Sequence, residues 1–226
     1  MNYQLSNSSS APIATITLNN KEEIKLERGS MIYHESGISI EGKTNGGLLG
    51  ALTKSIVSNE SMFISHAVSN RDGAKLGIAP ASLGAIAALH CGEKQYVIND
   101  GSYLACDKTV ELQIKKQKKL STTFLGGTGG FFNIHTSGEG DVLVNAFGDI
   151  IAVDLNQSTP FIVDNGHVVA WETTLDTSIR VASGAFGFMT GEGLVVEFLG
   201  KGRLYIQTRH IQNFAYQISQ FITPAN

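Results

Sequence analysis

The chain has 226 residues, long enough to bury a core as one large all-β domain or as two small ones. Charged residues make up 16% against 42% hydrophobic, which excludes a disordered chain, and 25 glycines with no Gly-X-Y period exclude a collagen-like one. A net charge of −3 provides no overall attraction to nucleic acid or to an anionic membrane.

Residues 1–11 read as a lead-in strand. Their MNYQLSNSSS has no basic n-region, no apolar h-region and no arginine, so neither a secretory signal nor a mitochondrial presequence is expected. Three similar windows follow: PIATITLNNKEEIKLERG at 12–29, GAIAALHCGEKQYVINDG at 84–101 and GDIIAVDLNQSTPFIVDNG at 148–166. Each begins with a short β-type run, passes through a polar turn, resumes alternation and ends in a turn glycine. The closing glycines are spaced by 72 and 65 residues.

After each glycine the chain alternates with period 2, the mark of a half-buried strand. The sixth position is acidic every time (Glu35, Asp107, Glu172), and the ninth is apolar (Ile38, Val110, Leu175). A glycine-rich segment comes next, at 44–50, 125–132 and 183–193. Each unit then closes on a turn and strand. The last of these, Gly200-Lys201-Gly202 followed by Arg203 through Arg209, is the most distinctive stretch in the chain.

Two segments carry helical spacing. One is Gly47 to Val57, and the other runs from His210 to Ile222 with Pro224 as a stop. Everything else predicts short strands joined by Gly, Asn, Asp and Ser turns. The fold class expected is all-β, a single domain over 1–226 built of three pseudo-threefold-related β-sandwich repeats at about 12–83, 84–147 and 148–226. A short internal helix and a C-terminal helix complete it. No apolar run is long enough to cross a bilayer, and two cysteines without a CxxC suit a reducing compartment, so a cytoplasmic location is expected.

Four stretches carry a family resemblance: Gly29 to Tyr33, Asp100 to Asp107, Val163 to Trp171, and Gly191 to Val195 with Gly202 to Arg209. Together they resemble the altered-inheritance-of-mitochondria, or mitochondrial biogenesis, family over nearly the whole chain. The resemblance implies a fold like the tryptophan RNA-binding attenuator protein, related to double-stranded β-helices. It carries over no catalytic residue.

Candidate chemistry is sparse. Glu35, Asp107 and Glu172 could converge on a pseudo-threefold axis and hold a hard cation, or could lie on a repeated solvated strand face. The six histidines form no HxH or HExxH pattern, so zinc has no support. Cys91 and Cys106 read as structural thiols. Gly-x-Ser-x-Gly is absent, and no glycine run continues into Gly-Lys-Ser/Thr. The basic run from Gln113 to Lys119 lacks a stacking aromatic and reads as a charged edge strand.

The function expected is non-enzymatic: a structural or assembly protein without a cofactor, forming a homo-oligomer, with protein partners rather than nucleic acid. The alternative is a small-ligand or ion-binding module between repeats. In that reading Tyr103, Trp171, Tyr205, Gln207 and Arg209 build the pocket and Arg209 clamps a carboxylate. RNA binding is a third reading and rests on fold analogy alone.

Overall fold

The computed structural model describes residues 1–8, 10–44, 63–99, 101–116, 132–181 and 194–222. The expected helix over 47–57 and most of the glycine-rich segments lie outside the described residues. A first stretch holds β1 (Asn2–Leu5), β2 (Ala14–Leu18), β3 (Glu23–Glu27), β4 (Met31–His34), β5 (Ile38–Thr44), β6 (Phe63–Ser69) and β7 (Ala74–Ile78). A second holds β8 (Ile86–Cys91), β9 (Tyr96–Asn99), β10 (Tyr103–Asp107), β11 (Val110–Lys116), β12 (Phe132–Gly138) and β13 (Gly140–Asn145). A third holds β14 (Ile150–Asp164), a 3-10 turn (Asn165–His167), β15 (Val168–Glu172), β16 (Asp176–Val181) and β17 (Leu194–Gln207), and α1 (Ile211–Ser219) follows.

The same antiparallel scheme runs through all three stretches. In the first, β7 pairs with β2 and β4, and β6 pairs with β3 and β5. In the second, β13 pairs with β8 and β10, and β12 with β9 and β11. In the third, β17 does both jobs. Its later half pairs with residues 150–157 and with β15, and its earlier half pairs with 161–164 and with β16. Neighbouring stretches are stitched by β3 to β10 and by β9 to β15. The result is a four-stranded sheet (β1-β2-β7-β4), a six-stranded sheet (β5-β6-β3-β10-β13-β8) and a seven-stranded sheet that includes β16.

Alternation assigns each face to a core. On β2, Ala14, Ile16 and Leu18 are buried and the threonines between them are half-exposed. The first core packs Ile16, Leu76 and Ile78 of the four-stranded sheet on Ile24, Leu26, Leu104 and Leu143 of the six-stranded sheet. On β13, Leu143 faces this core, whereas Val142 and Val144 face the second, with Ile98, Ile134 and Val169 of the seven-stranded sheet. The six-stranded sheet is thus buried on both faces at its centre, which suits the consecutive apolar residues of β10 and β13. A third core gathers Trp171, Leu175 and Leu204 with Val163, Val196 and Phe198.

The structure departs from the sequence reading in two places. The alternating run after each glycine breaks into two strands at or just after the acidic position, because the chain there leaves one sheet for another in the first two stretches and moves from the later to the earlier half of β17 in the third. In the third stretch, the polar segment 156–160 and the Gly200-Lys201-Gly202 turn stay extended within β14 and β17. They pair with each other, Asn156 opposite Lys201 and Gln157 opposite Gly200, and the register shifts only between Gln157 and Phe161. A bulge absorbs there what a turn does elsewhere.

Leu143→Ala removes a fully buried side chain and should cost about 2–5 kcal/mol in urea unfolding. Leu83→Ala, at an exposed position, should stay within about 0.5 kcal/mol.

Candidate functional site

The three acidic positions do not meet. Glu35 Oε2 accepts the Lys75 N–H at 3.2 Å and pairs with Arg71 at 2.7 Å. That backbone hydrogen bond, and then the guanidinium, hold the Glu35 carboxyl below its ordinary value. Asp107 Oδ2 accepts the Asp141 N–H at 2.7 Å, the same bond one stretch later, and Oδ1 pairs with the Met1 ammonium at 2.6 Å. Glu172 is buried and accepts from Lys94 Nζ at 2.7 Å. Among the described residues no group of three His, Cys, Asp or Glu side chains is placed to hold a metal. Each carboxylate instead secures the end of its own strand with a local donor.

The five residues of the ligand reading are divided among separate environments. Tyr103 is buried in the second core, and its hydroxyl donates to the Lys25 carbonyl at 3.0 Å. Trp171 lies in the third core, edge-on to Phe198. Tyr205 packs edge-on to Tyr96 beside the second core. The Gln207 amide is fully engaged: its oxygen accepts the Phe147 N–H at 2.8 Å and its nitrogen donates to the Gly166 carbonyl at 2.7 Å. Arg209 lines an open cavity.

That cavity, about 380 Å³, lies where the ends of the stretches come together. Its wall includes Ser10 from the lead-in, Leu83 before β8, Phe147 and Asp149 before β14, Arg209 after β17, and Phe214 of α1. Backbone hydrogen bonds hold these ends: Gly148 N–H to the Leu83 carbonyl at 2.9 Å, and Arg209 N–H to the Phe147 carbonyl at 3.1 Å. The Arg209 guanidinium is exposed and has no ion-pair partner among the described residues. An exposed guanidinium next to two aromatic rings suits a small carboxylate. The sequence singled out Arg209 through the unusual Gln-Thr-Arg strand end. Phe147 and Asp149 carried no comparable signal.

Other reactive groups are engaged in packing. Burial raises the Cys91 thiol and pushes Cys106 up to about 12, so neither is a nucleophile at neutral pH. β11 forms the edge of the seven-stranded sheet and carries Lys115 and Lys116. Residues 117–119 lie outside the described residues.

His210 caps α1. Its Nδ1 accepts the Asn213 N–H at 3.2 Å, and its ring lies 5.7 Å from that of His167 and covers Gly166, where no Cβ would fit. Phe214 docks the helix on Phe147 at 5.2 Å between ring centroids. Burial is the main cause that lowers the His210 pKa, with Asp164 opposing it and His167 adding to it.

Comparison with known proteins places these features in a family. The family described as Mitochondrial biogenesis AIM24 matches residues 3–209. The uncharacterized protein M6_Spy0233 of Streptococcus pyogenes serotype M6 is 38% identical over 229 residues, covering 98% of this chain and 91% of that protein. The crystal structure of protein SPYM3_0169 from Streptococcus pyogenes superposes with a TM-score of 0.83 at 36% identity, covering 98% of this chain and 99% of that one.

A lowered His210 pKa means that folding favours the neutral ring. Its contribution is complete above the unfolded value of about 6.5 and is lost as pH falls through the lower folded value. Hydrogen exchange over 211–219, corrected for intrinsic rates, should therefore accelerate between neutral and mildly acidic pH. His210→Asn, which caps without titrating, should flatten that dependence.

Proposed function

This chain belongs to the mitochondrial biogenesis AIM24 family, and we propose that it acts as a non-enzymatic structural protein that assembles with copies of itself. One observation carries the reading. Large apolar side chains stand exposed on ordered elements: Met31, Ile32 and Tyr33 on β4, and Ile211, Tyr216 and Ile218 on α1. Exposed apolar groups clustered on regular elements mark interaction surfaces. The acidic, cysteine and histidine side chains described above have structural partners, which fits a protein whose surface rather than a reaction centre is its working part. Two buried, unpaired thiols suit a reducing compartment such as the cytoplasm.

A second reading has its own support in the cavity beside Arg209. There the protein would bind a small carboxylate between the ends of its stretches, with Arg209 as the clamp and Phe147 and Phe214 as the walls.

Light scattering after size exclusion, across a wide concentration range, tests the first reading. A mass several times 24.2 kDa supports it, and a single-chain mass at every concentration sinks it. Thermal shift against amino acids and other small carboxylates tests the second. The expected result is a rise in Tm that Arg209→Gln abolishes.

A further inference from the structure

The strand scheme leaves two matching edges open. Within the chain, each boundary between stretches is an antiparallel pair of the same kind. At the first boundary Leu26 lies opposite Ala105 and Lys25 opposite Cys106. At the second, Ile98 lies opposite Ala170 and Val97 opposite Trp171. Counting from the closing glycine of each window, Leu26, Ile98 and Val163 occupy one position, and so do Lys25, Val97 and Ile162. Counting onward from the same glycines, Tyr33, Ala105 and Ala170 share a position, as do His34, Cys106 and Trp171.

One donor edge and one acceptor edge are therefore left over. β4 ends the four-stranded sheet, and the outer side of residues 161–164 in β14 pairs with no strand among the described residues. Exposure marks both. Met31, Ile32 and Tyr33 are 42%, 55% and 41% exposed, whereas their counterparts Tyr103, Leu104 and Ala105 are at most 3% and Val168, Val169 and Ala170 at most 2%. Ile162 is 50% exposed, whereas its counterparts Lys25 and Val97 are 6% and 4%. At Met31 through Tyr33 and at Ile162, positions that the internal boundaries bury stand open at the two ends.

We propose that β4 of one copy pairs with residues 161–164 of a second copy, head to tail, in the register of the internal boundaries. Tyr33 then lies opposite Val163, and His34 opposite Ile162. The occupant is a second copy of this chain because the chain already carries both halves of the contact and joins them twice. The apolar content matches as well. At the first internal boundary Leu104 and Leu143 of the later stretch enter the core of the earlier one. On the open edge Ile32 stands at the place of Leu104. The Tyr33 ring covers Gly77, which stands at the place of Leu143. Pro160, which lacks a donor, falls one residue outside the segment. A contact between different surfaces is heterologous, so it yields a ring if the rotation closes and a filament if it does not.

This inference rests on the assembly reading above, and its test separates the two. Ile32→Lys blocks one edge and Ile162→Lys blocks the other. Both side chains are exposed, so each variant should keep the wild-type melting temperature. Each alone should run at the single-chain mass, because one blocked end prevents growth at every contact. An equimolar mixture should give a complex of two chains, joined through the remaining intact edges, with lysines repelling at the outer ends. As a covalent check, oxidised mixtures of His34→Cys and Ile162→Cys single variants should give a two-chain disulfide product, since the native thiols are buried. Tyr216→Lys tests the competing apolar surface on α1, and Glu93→Lys, at an exposed position in the turn between β8 and β9, is the contrast that should leave the mass unchanged. If both lysine variants fold and stay as large as wild type, or if Tyr216→Lys alone dissociates the assembly, the edge pairing is wrong and the assembly reading stands. If the mixture gives no two-chain complex, the head-to-tail geometry is wrong. If one of the lysine variants melts early, Ile32→Gln and Ile162→Gln repeat the test with a milder change. A wild-type protein that is a single chain throughout removes both ideas.

Discussion

The fold depends on the antiparallel seams between β3 and β10 and between β9 and β15. Without them the three stretches would be separate small sandwiches, each with two raw edges and too little core. Each seam turns two short sheets into one long sheet, and each long sheet is buried on both faces near the seam. Tyr103, Leu104, Ala105 and Cys106 are all buried for this reason, although they are consecutive. The seam also explains a buried lysine. Lys25 lies on the side of β3 away from the first core, and Nζ reaches the Val110 carbonyl at 2.8 Å and Glu111 at 3.4 Å. An ammonium group in that position is tolerated because it donates to the Val110 carbonyl and pairs with the Glu111 carboxylate.

The acidic positions belong to the same logic. Each lies at the end of, or just after, a strand that forms a seam or, for β4, could form one, where the chain turns to a new partner. A strand end that crosses between sheets exposes a backbone N–H on its neighbour, and Glu35 and Asp107 each accept one. The regular spacing of these carboxylates reflects that recurring need. Spacing alone could not separate it from convergence on an axis, because both follow from a repeated unit.

Local chemistry was legible in the sequence wherever it repeats. The closing turn glycines Gly29 and Gly101, the ninth-position apolar residues and the edge-strand lysine Lys115 read correctly, since each depends on neighbours a few residues away. The C-terminal helix was legible too, from its apolar stripe and the proline beyond it, and its first residue was only one position off. What failed depended on partners far along the chain. The bulged strands β14 and β17 keep a polar, proline-containing segment extended because the two strands pair on both sides of the bulge. The ligand reading placed Tyr103, Trp171 and Tyr205 in one pocket between repeats. Their faces, however, are set by the seams, and alternation sends neighbours on one strand into different cores. Only Arg209, beyond the last paired residue of β17, escapes that sorting.

The cavity beside Arg209 follows from how the stretches are connected. Each stretch ends on the strand that pairs with its own first strand, so the segments leading from one stretch to the next emerge on the same side of the molecule. The bonds from Gly148 to Leu83 and from Arg209 to Phe147 tie successive segments together there. Three segments that meet with the lead-in cannot all continue as strands, and the space between them is filled by side chains from four separate parts of the chain. Here the first and last parts of the sequence share a wall. Gln207 and His210 matter here by holding that wall in place: Gln207 links Phe147 to Gly166, and His210 covers Gly166 and begins the helix whose Phe214 closes the cavity. The distinctive ending of the last strand is thus a structural clasp, and its only side chain free to act outward is Arg209.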